Sequence, residues 1–176
     1  MATLDWKIRL GGLAWIWGVA VLGVAAPGRA APPAPDAIPI AVLNLDYDDR
    51  SGEVGDQTQQ HAARLTRFAD TLQQGLAASG RYRIVSPTCD PAPCTAVGTD
   101  PDALVAAVRK AGGRLMMFGG VHKMSTLIEY AKLLVIDVQS NKVVFDKLIS
   151  FRGDDDEAWN RAASFTVQEF LTPPAR

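Results

Sequence analysis

Two apolar rhythms alternate along the chain, and they predict its elements. "IPIAVLNLDY" is an almost unbroken apolar run bounded by turn residues, which predicts a buried strand beginning near Ile38. Leu65, Phe68, Ala69, Leu72 and Leu76 then recur at helical spacing, with Gly80 as the stop. "RYRIVS" reads as a short second strand. Pro101 sits in the first turn of a second helix, whose stripe is Leu104, Val105, Val108 and Ala111 and whose end is Gly112. "RLMMFGGVHKMS", from about Arg114 to Ser125, is a third strand. "LIEYAKLLVIDV" alternates with period two and puts Ile128, Tyr130, Leu134, Ile136 and Val138 on one face, with Lys132 interrupting. "KVVFDKLISF" alternates again, with Val143, Phe145, Ile149 and Phe151 on one side. Ser140-Asn141 between these two strands is a tight-turn candidate. A last helix starts near Asp155, carries Trp159, Ala162, Ala163, Val167, Phe170 and Leu171, and cannot pass Pro173 and Pro174.

The predicted order is β-α-β-α-β-β-β-α. Helical crossovers between the first three strands favour parallel pairing, and short turns between the last three favour an antiparallel meander. The expectation is a mixed α/β fold in two or three layers: one five-stranded mixed sheet and three helices, as a single domain over residues 38–172. Residues 173–176 read as a disordered tail.

The N-terminus has a different pattern. Lys7 and Arg9 precede "LGGLAWIWGVAVLGVAA", an uncharged run from Leu10 to Ala26, and "PGRAA" follows with Gly28 and Ala30 at −3 and −1 of a cleavage after Ala30. That is the layout of a secretory signal peptide over residues 1–30. An uncleaved anchor is the alternative, because the run is almost long enough to span a bilayer. "APPAPDA", residues 31–37, reads as an extended proline-rich linker. Cleavage would leave no membrane span and place the domain in the periplasm.

Only two cysteines occur in the chain, Cys89 and Cys94 in "CDPAPC". In an exported protein they read as a local disulfide, with a stabilisation of about 2 kcal/mol for so short a loop. The spacing is not that of a C-x-x-C redox motif, and a zinc site would need further ligands from a chain holding two histidines. The formal net charge is −1. Loss of Lys7, Arg9, Arg29 and Asp5 with the leader takes it to −3. This gives no electrostatic case for nucleic acid.

The run from Gly120 to Trp159 resembles the C-terminal signature of a bacterial family of small exported proteins of unknown function. The matching positions are Gly120, Val121, Lys123 and Ser125; then Asp137, Lys142 and Val143; then Arg152, Gly153, Asp154, Asp156, Glu157 and Trp159. The resemblance covers residues 38–171. It implies an architecture similar to the N-terminal domain of TolB, to PelC and to the curli secretion channel, which are assembly or scaffold domains. It therefore implies an envelope role, an envelope protein or a further copy of the chain as partner, and no cofactor or catalytic residue. A likeness of fold does not supply an activity.

The acidic stretch "LNLDYDDRSGEVGDQ" leaves the first predicted strand. Read as a calcium loop from Asp46, it fails at Arg50, Ser51 and Gln57, the fifth, sixth and twelfth positions. A looser site remains open. The first, third and fifth predicted strands point the same way, so Asp46, Asp48 and Asp49 share an edge with Asp154, Asp155, Asp156 and Glu157. Asp46, Asp48, Asp49, Asp154 and Asp156 are the candidate ligands there for a hard divalent cation. Capping is the simpler account: Asp154 or Asp155 at the helix start, and Glu157 closing a capping box with Asp154. Lys123, Lys147 and Arg152 are candidates to neutralise these carboxylates. His61 falls in a predicted exposed first turn and His122 in the third strand. No G-x-S-x-G, Walker loop or G-x-G-x-x-G follows a strand. The expectation is a non-enzymatic periplasmic interaction module, with a cation-binding protein as the alternative.

Overall fold

The computed structural model describes residues 36–90 and 92–172. The leader read over residues 1–30, most of the linker and the tail 173–176 lie outside the described residues. The elements are β1 (Ile38–Val42), β2 (Asp46–Asp49), α1 (Thr58–Ala78), β3 (Tyr82–Ile84), α2 (Pro101–Lys110), β4 (Leu115–Lys123), β5 (Ile128–Asp137), β6 (Lys142–Arg152) and α3 (Asp156–Leu171). They form one mixed sheet in the order β3-β1-β4-β5-β6, with β2 also paired to β4. β1 and β2 run parallel to β4, while β5 and β6 continue antiparallel.

The mixed α/β architecture is the expected one, but the sheet has six strands. The first predicted strand divides into β1 and β2, and both halves pair with β4. Val42 pairs with Met117 and Asp46 with Gly120, so three residues oppose two and the ladder must bulge. At the bulge, Asn44 turns its N–H to the Cys94 carbonyl at 3.0 Å.

Alternation along β1 separates two cores. Ile40 and Val42 face α1 and α3, where Phe68, Leu72, Leu76, Trp159, Ala163 and Val167 pack on Met117, Leu133 and Val135. Ala41 and Leu43 face the other way, against Leu104 and Val108 of α2, Met116, and Cys94. The molecule is therefore three-layered beside β1. Cys89 and Cys94 are bonded, with their Cα atoms 5.3 Å apart, and the loop they close packs into the smaller core.

Of the two predicted strand faces, one stands and one is corrected. On β5 the fully buried apolar residues are Ala131, Leu133 and Val135, whereas Ile128, Tyr130, Lys132, Leu134 and Ile136 are half-buried on the opposite face. The two phases are almost equally apolar, and the face shared by Ile128, Tyr130, Leu134 and Ile136 is the less buried of the two. On β6, Val144 is an extra residue between the pairs Ile136–Val143 and Val135–Phe145. This bulge turns Val143 to the outer face, where it is 57% exposed, and leaves Phe145, Ile149 and Phe151 with the core. The β5–β6 turn is also longer than Ser140-Asn141. The N–H groups of Gln139 and Ser140 donate to the Asp137 carboxylate, and Asn141 takes the left-handed position at φ 55°.

Gly119 has φ +146°, and a Cβ there would lie 2.0 Å from the Lys132 carbonyl oxygen of β5. Gly119→Ala is expected to cost about 3 kcal/mol, from strained backbone and the clash together. Gly52→Ala, with φ +67° in open space, is expected to cost about 1 kcal/mol. Urea midpoints of the two variants check the difference.

Candidate functional site

The strand ends that point the same way meet the start of α1 and the β6–α3 junction, and a charged cluster is buried there. β4 alternates Val121 in, His122 out, Lys123 in, so its last residue points under the helices. Lys123 is fully buried. Its Nζ donates to Glu53 Oε2 at 2.5 Å, Asp154 Oδ2 at 2.6 Å and Gln57 Oε1 at 2.8 Å. Three acceptors match the three protons of an ammonium. Burial opposes the charge most strongly, but hydrogen bonds to Asp154 and Glu53 outweigh it and hold the Lys123 pKa above its ordinary value.

Asp154 is the hub. Gly153, at φ +103°, redirects the chain out of β6, and Asp154 turns inward. It accepts from Lys123, from Arg64 Nη1, and from His61 Nε2, which lies 3.0 Å from both of its oxygens. A carboxylate only accepts, so Nε2 is the protonated ring nitrogen of this tautomer. Burial pushes the Asp154 pKa up, yet the bonds from Lys123 and His61 bring it below the usual carboxylate range.

His61 is corrected from exposed to buried. Its helix begins at Thr58, so position 61 extends the stripe of Phe68, Leu72 and Leu76. The ring stacks on Tyr47 of β2 at 4.5 Å between centroids and lies 6.1 Å from Trp159 of α3. Trp159 meets Phe68 and Phe151 edge-on at 6.3 and 6.0 Å. Burial is the main cause that raises the Tyr47 pKa, with Asp49 and Asp154 adding to it.

Glu129 is the second group that the pattern missed. It pairs across the ladder with Lys123 and is fully buried, in phase with Ala131 and Leu133. Neither carboxylate oxygen has a hydrogen-bond partner among the described residues, and the same holds for Tyr47 Oη and Trp159 Nε1. Burial first, then the Asp154 charge and a hydrogen bond that a protonated Glu129 donates to Asp154, push the Glu129 pKa up to about 8, against smaller opposing pulls from Lys123 and Arg64; the ionised carboxylate has no donor among the described residues. One donor atom each from His61, Glu129 and Asp154 falls within 4.8 Å of the others.

Of the acidic candidates, Asp154 alone enters this cluster. Asp46 accepts from the Val97 N–H at 3.2 Å. Asp48 pairs with Arg50 at 2.8 Å and stands 3.6 Å from His122. Asp49 accepts from the N–H and hydroxyl of Ser51. Asp156 meets Arg64 and Arg67 outside. The helix cap belongs to Asp155, which accepts from the Ala158 N–H at 2.7 Å. Glu157 reaches Arg161 at 2.5 Å, so no capping box forms with Asp154. Ser125 Oγ accepts from Ile128 N–H and shapes the β4–β5 turn. Asp137, held near a pKa of about 2 by the Ser140 N–H and Arg114, shapes the next one. Lys147 pairs with Glu169 at 2.9 Å, and Arg152 ends β6 opposite Ile128.

Lys123→Met leaves the Asp154 and Glu53 carboxylates without their shared ammonium. A loss of about 3–5 kcal/mol is expected, read from chemical denaturation. The raised Glu129 pKa predicts a slope. Between its ordinary 4.5 and about 8 the folded state holds a proton that the unfolded state has lost. Stability therefore falls as pH rises through that window, by up to about 1.4 kcal/mol per pH unit. Thermal unfolding across pH 5–8 should show this fall, and Glu129→Gln should flatten it.

A family described as a protein of unknown function (DUF2380) matches residues 39–171. No curated protein matches the sequence. Among solved structures, the PelC dodecamer from Paraburkholderia phytofirmans superposes with a TM-score of 0.52 at 11% identity, over 82% of this chain and 95% of that one. The likeness to PelC is one of fold. TolB from Acinetobacter baumannii gives 0.47 at 16% identity, over 77% of this chain and 28% of that one. The LpoB C-terminal domain from Salmonella enterica gives 0.46 at 13% identity, over 68% and 86%.

Proposed function

For this chain, which belongs to the DUF2380 family of unknown function, we propose the role of a non-enzymatic interaction module of the bacterial envelope. The observation behind this reading is the contrast between its two sides. The titratable groups that could do chemistry are turned inward: Lys123 is bonded to its neighbours, and His61 is 2% exposed between Tyr47 and Trp159. The apolar groups that could bind protein are turned outward. β6 lies at one edge of the sheet and presents Val143, Val144 and Leu148, each more than half exposed. Leu127 and Met124 are exposed too, at the β4–β5 turn beside the far end of β6 from Val143. An edge of this kind can receive a strand through main-chain hydrogen bonds.

An oxidising compartment is supported by the Cys89–Cys94 bond and by the leader pattern. Among the described residues, no helix is long and apolar enough to cross a membrane. The fold shared with PelC, which is a dodecamer, adds a further copy of the chain to the partners that fit.

Photo-crosslinking in intact cells tests this reading. A photoreactive residue at Val144 or Leu148 is expected to give a discrete adduct with one protein, either another copy or a distinct chain. The same group at Gln74, on the exposed side of α1, is expected to give none. Identical patterns at the three positions, or no adduct along β6, would remove the interaction reading.

A further inference from the structure

We propose that His61 Nε2 and the carboxylates of Glu129 and Asp154 form a site for one divalent transition-metal ion of the zinc class, distinct from the acidic surface positions. The starting point is Glu129. A fully buried carboxylate whose two oxygens both lack a partner is costly, because the interior offers no water to replace the lost hydrogen bonds. Its cross-strand neighbour Lys123 does not relieve it, since all three ammonium protons go to Glu53, Gln57 and Asp154. The local charges show what is left over. Lys123 and Arg64 balance Glu53 and Asp154, so an ionised Glu129 adds one uncompensated negative charge in a dry place. A proton shared with Asp154 would satisfy one of its oxygens. A cation would satisfy both the charge and the geometry.

The donors around that charge are of the right kind. One imidazole nitrogen and two carboxylates, within 4.8 Å of one another, make a mixed nitrogen–oxygen set. Such sets suit zinc and its neighbours better than calcium, which takes oxygen alone. Metal–ligand bonds of about 2.0–2.2 Å in a tetrahedral set put donors roughly 3.4 Å apart, so the widest pair must draw in by about 1 Å on binding. Asp154 is already held from behind by Lys123 and Arg64, and outer partners of this sort orient a ligating carboxylate. His61 is fixed between Tyr47 and Trp159 and would move its proton from Nε2 to Nδ1 on binding. A surface depression of about 340 Å³, with Tyr47, Asp49, Gln57 and His61 in its lining, lies beside the site. The site is independent of the β6 edge, so either reading can fail without the other.

The test uses the full chain, stripped with a chelator and titrated with Zn²⁺ and, as a spectroscopic substitute, Co²⁺. The expected result is one equivalent bound, a rise in Tm that saturates at that equivalent, and visible Co²⁺ bands unlike those of the hydrated ion. Glu129→Gln and His61→Gln should each weaken binding at least tenfold, while Asp48→Asn and His122→Ala leave it unchanged. A wild-type chain that leaves the Co²⁺ spectrum unaltered and shows no Tm shift with Zn²⁺ would overturn the site, whatever the variants do. Binding lost in His122→Ala, or retained in a folded Glu129→Gln, would also overturn it.

Discussion

The pairing of Lys123 with Asp154 is the constraint on which one end of this molecule depends. A lysine removed from water is tolerated only when its ammonium is fully bonded, so four chain segments must arrive together. β4 brings the lysine, the loop after β2 brings Glu53, the start of α1 brings Gln57, and the β6–α3 junction brings Asp154. Asp154 then recruits Arg64 and His61 from α1. Helix packing alone would let α1 and α3 slide along their apolar stripes. Directional bonds to one nitrogen set their register against the sheet. The aromatic stack of Tyr47, His61 and Trp159 is the hydrophobic counterpart of the same lock.

The two sides of the sheet are covered unequally, and this follows from helix number. α1 and α3 lie side by side over β1, β4, β5 and β6, and bury the larger core. α2, ten residues long, covers only the region near β1 and β4 on the other side. Tyr130, Leu134 and Ile136 are left half-covered, and Lys132 paired with Asp146 sits among them. A short helix cannot shield a strand pair as long as β5 and β6. Their outer face therefore mixes aliphatic side chains with an ion pair.

Much of the architecture was legible from periodicity. The three helices, the glycine stops of the first two and the parallel-then-meander order all follow from spacing and turn chemistry. What was not legible turns on single-residue offsets. The break at Leu43–Leu45 and the extra residue at Val144 leave no mark in an apolar run, because a bulge changes pairing and not composition. The phase of β5 was undecidable by hydropathy, since Glu129 and Asp137 interrupt one face and Lys132 the other. The site suffered for the same reason. Asp154 stood out as an acidic residue, but nothing in the pattern singled out Glu129 on a strand whose two faces are almost equally apolar. His61 does lie in step with Phe68, Leu72 and Leu76, so the signal was present. A polar residue in an apolar stripe marks a buried polar group as readily as the end of the stripe.

The irregularity at Val144 also limits growth. A regular edge as long as β6 would be a template for copy after copy to add without end. The kink divides that edge, so an arriving ribbon finds straight pairing only from Phe145 to Arg152, and beyond it the ladder swings away with the local twist. An edge divided in this way is a poorer rail for a fibre to propagate along than an unbroken one.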